Sequence, residues 1–361
     1  MAQQKPISPR VLMMGNEAVG EGAIRAGCQC YFGYPITPQN ELTAYMAKHM
    51  LEHGRVFIQS ESELAAISMV FGAAAAGARA MTSSSSPGIS LKQEGISYLA
   101  GARLPAVIVN VQRGGPGLGG IDPSQCDYFQ AVKGGGHGDY HCIVLAPASV
   151  QDMHDMTVEA FRLADRYRTP VMVLADGRLG QMMEPITLYA APPPPVPAKP
   201  WALTGATKRE ARNIRSLFMA EGGLEKHNII LQEVYQQIKR TEPRSEEILT
   251  ENCDYAIAAW GTCARIAKEV IQKARAQGLR AGLFRPITLW PFPSESLLAL
   301  AGKVKALLVV EMNAGQMLED VQLAVKDRVP VHFSGYPGGR VPTTSNMLSA
   351  LTLMAQQFRG L

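Results

Sequence analysis

Short, largely apolar runs, spaced by segments of helical periodicity, fill the first half of this 361-residue chain. Residues 31–34, 56–59, 80–83, 106–111, 142–146 and 171–175 read as strands with no polar face. Strands apolar on both sides belong in a parallel sheet covered by helices above and below, so the implied class is α/β. Residues 191–200, Ala-Pro-Pro-Pro-Pro-Val-Pro-Ala-Lys-Pro, offer few donors to a ladder and favour extended polyproline, which makes them a linker. Residues 201–250 are charged and helical in pattern and read as a connection or cover. The strand signal then returns at 255–260, 280–284, 306–310 and 329–333, with a helix over 264–277, as a smaller α/β unit. The expected division is therefore 1–190, 191–250 and 251–361.

Composition narrows the partners. Thirty-five Lys and Arg against 31 Asp and Glu leave a net charge of +4, spread along the chain rather than gathered into the basic blocks that track a phosphate backbone, so nucleic acid is not expected. The N-terminal residues lack the apolar run of a signal peptide, and the most apolar stretch, 64–78, is too short and too rich in alanine to span a bilayer. A cytoplasmic protein without a membrane span is expected. Cys28, Cys30, Cys126, Cys142, Cys253 and Cys263 fit neither a disulfide framework nor the spacing of a zinc or iron-sulfur site, and read as reduced thiols.

Several strand ends carry residues suited to chemistry. Gly33-Tyr34-Pro35-Ile36-Thr37-Pro38 follows a strand, and its prolines fix the backbone so that the Thr37 hydroxyl is presented at the carboxyl edge of the sheet, where ligands of open α/β sheets bind. The same hydroxyl could instead cap the next helix. Ser60 and Glu63 satisfy the S-x-x-E capping pattern ahead of an apolar helix. Equally, a carboxyl group carried into apolar surroundings has its charged form disfavoured, which suits a group that exchanges a proton with a ligand nitrogen. The residues leave both readings open.

Thr82 to Gly88, Thr-Ser-Ser-Ser-Ser-Pro-Gly, offers hydroxyls and backbone N–H groups to an anion or polar ring, or is simply a flexible loop. Gly115-x-Gly117-x-x-Gly120 matches the dinucleotide fingerprint formally, but no apolar helix opens behind it and no acidic strand end follows at the required distance. A lone arginine at a strand end is usually a surface charge, but with these glycines permitting close approach Arg113 could clamp a carboxylate bidentately. In Lys133-Gly-Gly-Gly-His137-Gly-Asp139, His137 reads as a local hydrogen-bonding residue. Glu311-Met-Asn-Ala-Gly-Gln316 and Tyr336-Pro-Gly-Gly-Arg340 are turns fit for an interface or a ligand.

Taken in order, Gly15-Asn-Glu-Ala, Gly33-Tyr-Pro-Ile-Thr-Pro38, Glu61-Ser-Glu63, Thr82 to Gly88, Arg113-Gly-Gly-Pro-Gly, Asp176-Gly and Glu311-Met-Asn-x-Gly-Gln resemble the α subunit of 2-oxoacid:ferredoxin oxidoreductases. The resemblance covers nearly the whole chain and is greatest to the branched-chain, 2-oxoisovalerate type. It implies a thiamine-diphosphate-fold pyrimidine domain followed by a smaller domain like the C-terminal domain of transketolase. By resemblance Glu63 is the glutamate that hydrogen-bonds the pyrimidine N1′, Thr37 and Arg113 engage the substrate carboxylate, and Pro35 lies against the pyrimidine. The same resemblance implies a β subunit holding the diphosphate, Mg2+ and a [4Fe-4S] cluster, separate γ and ferredoxin-like δ subunits, ferredoxin as acceptor and coenzyme A as co-substrate.

The reaction implied is oxidative decarboxylation of a 2-oxoacid to acyl-CoA, CO2 and reduced ferredoxin. Alternatives are a 2-oxoglutarate- or pyruvate-specific member, the β chain of a lipoamide-linked 2-oxoacid dehydrogenase, and a non-enzymatic assembly subunit.

Overall fold

The computed structural model describes residues 10–188 and 196–358. A short ribbon strand, β1 (Arg10–Met14), leads into α1 (Gly15–Arg25) and then into repeated strand-helix units: β2 (Cys30–Gly33), α2 (Asn40–Glu52), β3 (Val56–Gln59), α3 (Glu63–Ala75), β4 (Ala80–Ser84), α4 (Ser86–Gly101) and β5 (Ala106–Gln112). After α5 (Tyr128–Val132) come β6 (Ile143–Leu145), α6 (Val150–Tyr167), β7 (Pro170–Asp176), α7 (Gly177–Gln181) and β8 (Met183–Thr187). The later part comprises α8 (Gly223–Thr241), β9 (Ser245–Ile248), β10 (Tyr255–Ala259), α9 (Gly261–Ala276), β11 (Ala281–Pro286) and β12 (Thr288–Trp290). It continues through α10 (Ser294–Ala301), β13 (Ala306–Glu311), α11 (Gln316–Val325), β14 (Val331–Gly335) and α12 (Thr344–Gln356).

The larger sheet has the order β12-β6-β7-β5-β4-β2-β3, parallel except for β12. Every residue of β4, β5 and β7 is buried, as central strands are when helices cover both faces of a parallel sheet. Helix α6 shows how a covering element is specified: Ser149 caps it by accepting from the Asp152 N–H at 3.0 Å, and Met153, Thr157, Ala160, Phe161 and Ala164 line its buried stripe. The second sheet has the order β14-β13-β10-β11-β9, with β9 antiparallel at its edge.

All ten expected strands are present, β3 at its expected bounds and the others within one or two residues at either end. Four others, β1, β8, β9 and β12, are not among them. β1 and β8 pair only with each other in an antiparallel ribbon, and β9, Ser-Glu-Glu-Ile, is a short charged edge inside the stretch read as a connection. Strand β12 is three residues long and crosses back from the second unit to close the edge of the first sheet against β6. The linker reading for 191–195 lies outside the described residues; 196–199 contain no helix or strand.

A buried polar junction joins the two sheets. Asp176, at the end of β7, accepts from the Thr262 hydroxyl at 2.7 Å and backbone N–H at 3.1 Å, at the start of α9. Gln125 donates to the Trp260 carbonyl at 2.9 Å and accepts from the Met312 N–H at 2.9 Å. Among the described residues no helix is long and apolar enough to cross a membrane.

Candidate active site

The residues singled out above gather at the carboxyl ends of β2, β3, β4 and β5, four adjacent positions in the larger sheet. The turn after β2 is held from behind. Asn16 donates to the Pro38 carbonyl at 2.8 Å and to the Glu41 carboxylate at 2.7 Å. Buried Gln39 accepts from the Ser83 hydroxyl at 2.6 Å, and Ser83 in turn bonds the Tyr31 phenol at 2.6 Å. The turn is therefore a fixed shelf, with Tyr34 and Pro35 exposed on it and Thr37 half-buried. Helix α2 begins after Gln39 with no side-chain cap, so the Thr37 hydroxyl does not serve as one and stays available.

Glu63 is not part of a capping box. The N-cap of α3 is Ser62, whose hydroxyl accepts from the Ala65 N–H at 3.2 Å, whereas Ser60 points its hydroxyl at the Met69 sulfur. The S-x-x-E spacing fails because the helix starts two residues later than the pattern assumes, placing Glu63 as its first residue. Its side chain is only 6% exposed and makes no hydrogen bond among the described residues. A buried carboxyl group without a partner is costly, and its presence needs an explanation outside the helix.

Nor is Thr82 to Gly88 a flexible loop. Strand β4 runs to Ser84 and α4 starts at Ser86, so the hydroxyl run is the turn from strand to helix, and residues 82–86 are all buried. The Thr82, Ser84 and Ser85 hydroxyl oxygens have no hydrogen-bond partner. Glycine at 88 is required: a Cβ there would lie 2.1 Å from the Ser84 hydroxyl and 2.5 Å from Glu63 Oε1, so both groups converge on one face of this residue. Two residues earlier, the Ser86 hydroxyl accepts from the Arg113 N–H at 3.1 Å. The Arg113 guanidinium is 8% exposed and donates to the carbonyls of Thr37 at 3.1 Å and Leu118 at 3.2 Å. The first turn of α4 thus brings Glu63, Arg113 and, through Arg113, Thr37 to one place.

Other motifs settle into structural parts. No helix opens behind Gly115–Gly120; the next, α5, begins at Tyr128. The carbonyl of His137 accepts from Ser97 at 2.7 Å while its ring stands edge-on to Tyr98. Glu311 is fully buried and accepts the Met317 and Leu318 N–H groups at 2.8 and 3.0 Å, capping α11, with burial pushing its carboxyl above the usual range. Lys92 escaped the sequence reading. It is fully buried on α4 and donates to the Ser83 carbonyl at 3.1 Å; burial draws its ammonium down to about 8, opposed by the Glu63 charge. The available signal was a lysine on a stripe formed by Ile89, Gln93, Ile96 and Leu99, every one of them buried.

A doubly covered parallel sheet that presents an unpartnered carboxyl group and a row of unpartnered hydroxyls at its carboxyl edge defines a cofactor-binding α/β protein. Residues 21–245 match the family described as "Pyruvate flavodoxin/ferredoxin oxidoreductase, thiamine diP-bdg", and residues 253–347 match "Pyruvate:ferredoxin oxidoreductase core domain II". The chain belongs to this thiamine-diphosphate-binding family of pyruvate flavodoxin/ferredoxin oxidoreductases. It is 52% identical over 313 residues to ketoisovalerate oxidoreductase subunit VorB of Methanothermobacter marburgensis, covering 87% of this chain and 89% of that protein. With 2-oxoglutarate synthase subunit KorA of Methanothermobacter thermautotrophicus it shares 36% identity over 374 residues, covering 95% and 98%. The solved 2-oxoglutarate:ferredoxin oxidoreductase from Magnetococcus marinus, with 2-oxoglutarate, coenzyme A and succinyl-CoA bound, superposes with a TM-score of 0.83 at 27% identity, covering 98% of this chain and 66% of that one.

Proposed function

We propose that this chain carries the pyrimidine half of the cofactor site in a complex that oxidatively decarboxylates 2-oxoisovalerate, with coenzyme A, to acyl-CoA, CO2 and reduced ferredoxin. The observation that carries this reading is the convergence at Gly88, in the first turn of α4, of the buried Glu63 carboxylate with the unpartnered Ser84 hydroxyl, in a strand end whose Thr82 and Ser85 hydroxyls are also unpartnered. These groups fit the pyrimidine end of thiamine diphosphate, whose ring nitrogens and exocyclic amine need an ionisable acid and acceptor oxygens. Glu63 would hold and move a proton at N1′, and the exposed face of Pro35 would lie against the ring. When bound, the cofactor supplies the nucleophilic carbon and the electron sink that decarboxylation needs.

The remaining steps belong to the chain. Thr37 and Arg113 would fix the 2-oxoacid carboxylate, a charge-assisted contact that orients the carbonyl before reaction. The choice of 2-oxoisovalerate follows the 52% relative over the 36% one, with 2-oxoglutarate and pyruvate as competing substrates. Both relatives are named as subunits, which supports a β subunit holding the diphosphate, Mg2+ and a [4Fe-4S] cluster, with γ and ferredoxin-like δ subunits beside it. Exposed Ile58, Leu64 and Leu91, on β3, α3 and α4, suit such a partner. Unpaired cysteines at all six positions suit the reducing cytoplasm. We divide the chain functionally into a pyrimidine-binding unit to 190, a connection to 250, and a second unit from 251.

The test is viologen reduction by the purified complex supplied with thiamine diphosphate and coenzyme A, offered 2-oxoisovalerate, 2-oxoglutarate, pyruvate or an aryl 2-oxoacid. Coenzyme A-dependent reduction fastest with 2-oxoisovalerate is expected. Lipoamide reduction instead would assign the chain to the dehydrogenase class, and no reduction by a complex containing its clusters and cofactor would leave an assembly subunit. Glu63→Gln should lower turnover at least roughly tenfold, a barrier increase of about 1.4 kcal/mol, in an intact complex.

A further inference from the structure

A fully buried lysine is rare in a folded protein unless it is paired, and Lys92 makes no ion pair among the described residues. Its ammonium is anchored to one acceptor, the Ser83 carbonyl, on the strand that leads into the hydroxyl row. Lys92 stands one helical turn beyond Gly88, the residue against which the Glu63 carboxylate rests. Glu63 is also the charge that acts on it.

The neighbouring elements supply no rival. Helix α3 carries no ionisable side chain besides Glu63, and β4 and β5 carry none. On α4 itself Glu94 and Tyr98 lie on the exposed face, bonded to each other. The Asp176 carboxylate at the end of β7 is occupied by two backbone N–H groups of α7 and by Thr262. From β2 and beyond, the Tyr31 phenol is tied to Ser83 and Thr43, and Arg113 is held by the Thr37 and Leu118 carbonyls. Cys30, half-buried, opens β2 at the amino end, away from the site.

We propose that Lys92 is a positioning residue for Glu63: a buried cation one turn along α4 from the carboxylate, whose charge stabilises the pair formed by Glu63 and the cofactor ring once their shared proton is given up. The proposal rests on the reading of Glu63 given above. An opposite charge nearby stabilises a carboxylate, so the pair formed by Glu63 and a protonated ring, on losing one proton, becomes net negative and is stabilised by Lys92. Without that cation the proton is retained to higher pH.

The experiment compares the complete complex with its Lys92→Met, Lys92→Gln and Glu63→Gln variants, with thiamine diphosphate as the probe. Circular dichroism of the bound cofactor across pH reports the loss of the ring proton, independently of turnover, and steady-state kinetics separate kcat from KM. In both Lys92 variants the transition should move upward by about one pH unit, and kcat at neutral pH should fall roughly three- to tenfold with KM within about twofold. Lys92→Gln keeps a donor for the Ser83 carbonyl but no charge; a wild-type transition in this variant would overturn the proposal by reducing Lys92 to a prop for Ser83. Should Lys92→Met fail to assemble, Lys92→Gln alone decides. An unchanged transition in Glu63→Gln would instead sink the reading of Glu63 itself, which distinguishes the two failures.

Discussion

The Arg113 guanidinium donates to the main-chain oxygen of Thr37 at 3.1 Å, so the candidate carboxylate-binding pair is joined across the sheet through the backbone rather than through the Thr37 hydroxyl. A second bond reaches Leu118, and Nε is buried without a partner. The guanidinium therefore spans two loops while three of its five N–H donors, and the Thr37 hydroxyl, remain for a ligand. Lysine cannot reproduce that fork with a single ammonium. We expect Arg113→Lys to raise KM for the 2-oxoacid at least roughly tenfold, about 1.4 kcal/mol, with a smaller change in kcat, and Arg113→Ala to raise it further. Steady-state kinetics of the complex check this, and an unaltered KM would remove Arg113 from the carboxylate site.

Gly88 offers a test of local geometry that reverses the usual expectation. Replacing a glycine in a helix by alanine ordinarily stabilises it by about 1 kcal/mol. At position 88 the added methyl would meet the Ser84 hydroxyl and the Glu63 carboxylate at 2.1 and 2.5 Å, and one or both must move. Misplacement on the scale of an ångström costs on the order of a hundredfold in positioning-dependent chemistry, so Gly88→Ala should lose activity to that degree and bind thiamine diphosphate more weakly. Gly72→Ala in α3 is the control, because nothing lies within 4 Å of its Cβ position. That variant should gain thermal stability. A fully active Gly88→Ala would show that the Glu63 carboxylate tolerates displacement.

What the sequence disclosed and what it hid follow from the range of the interactions involved. Strands such as β5 and β7 are legible because burial on both faces leaves a largely apolar run without a polar face. Strand β12 is not, since three residues gain their partner from β6, more than a hundred positions away, and no local pattern records that pairing. At the site, Thr37, Glu63 and Arg113 were nameable from motif order, but the choice between a capped helix and a free carboxyl group turned on where α3 begins, a matter of two residues. Lys92 was hidden for the opposite reason: a lysine on a helix reads as solvated, and only the packing of α4 against α3 and the sheet reveals it as interior.

His141 links the late elements to the first sheet and yields a prediction about acid stability. Its ring stacks on Trp290 of β12 at 4.4 Å between centroids and meets Tyr235 of α8 edge-on at 5.5 Å. Burial, with help from the Lys239 charge, holds its imidazole down at about 4, well below the usual value of about 6.5. Between those two values the unfolded chain binds a proton that the folded chain refuses. The contribution of this site is thus complete above about pH 6.5 and is lost as pH falls toward 4. His141→Phe preserves a stacked ring and removes the titration. Denaturant midpoints measured from pH 7 to pH 4 should therefore fall less steeply for the variant than for the wild-type chain, and parallel curves would show that His141 takes up its proton without opening the Trp290 stack.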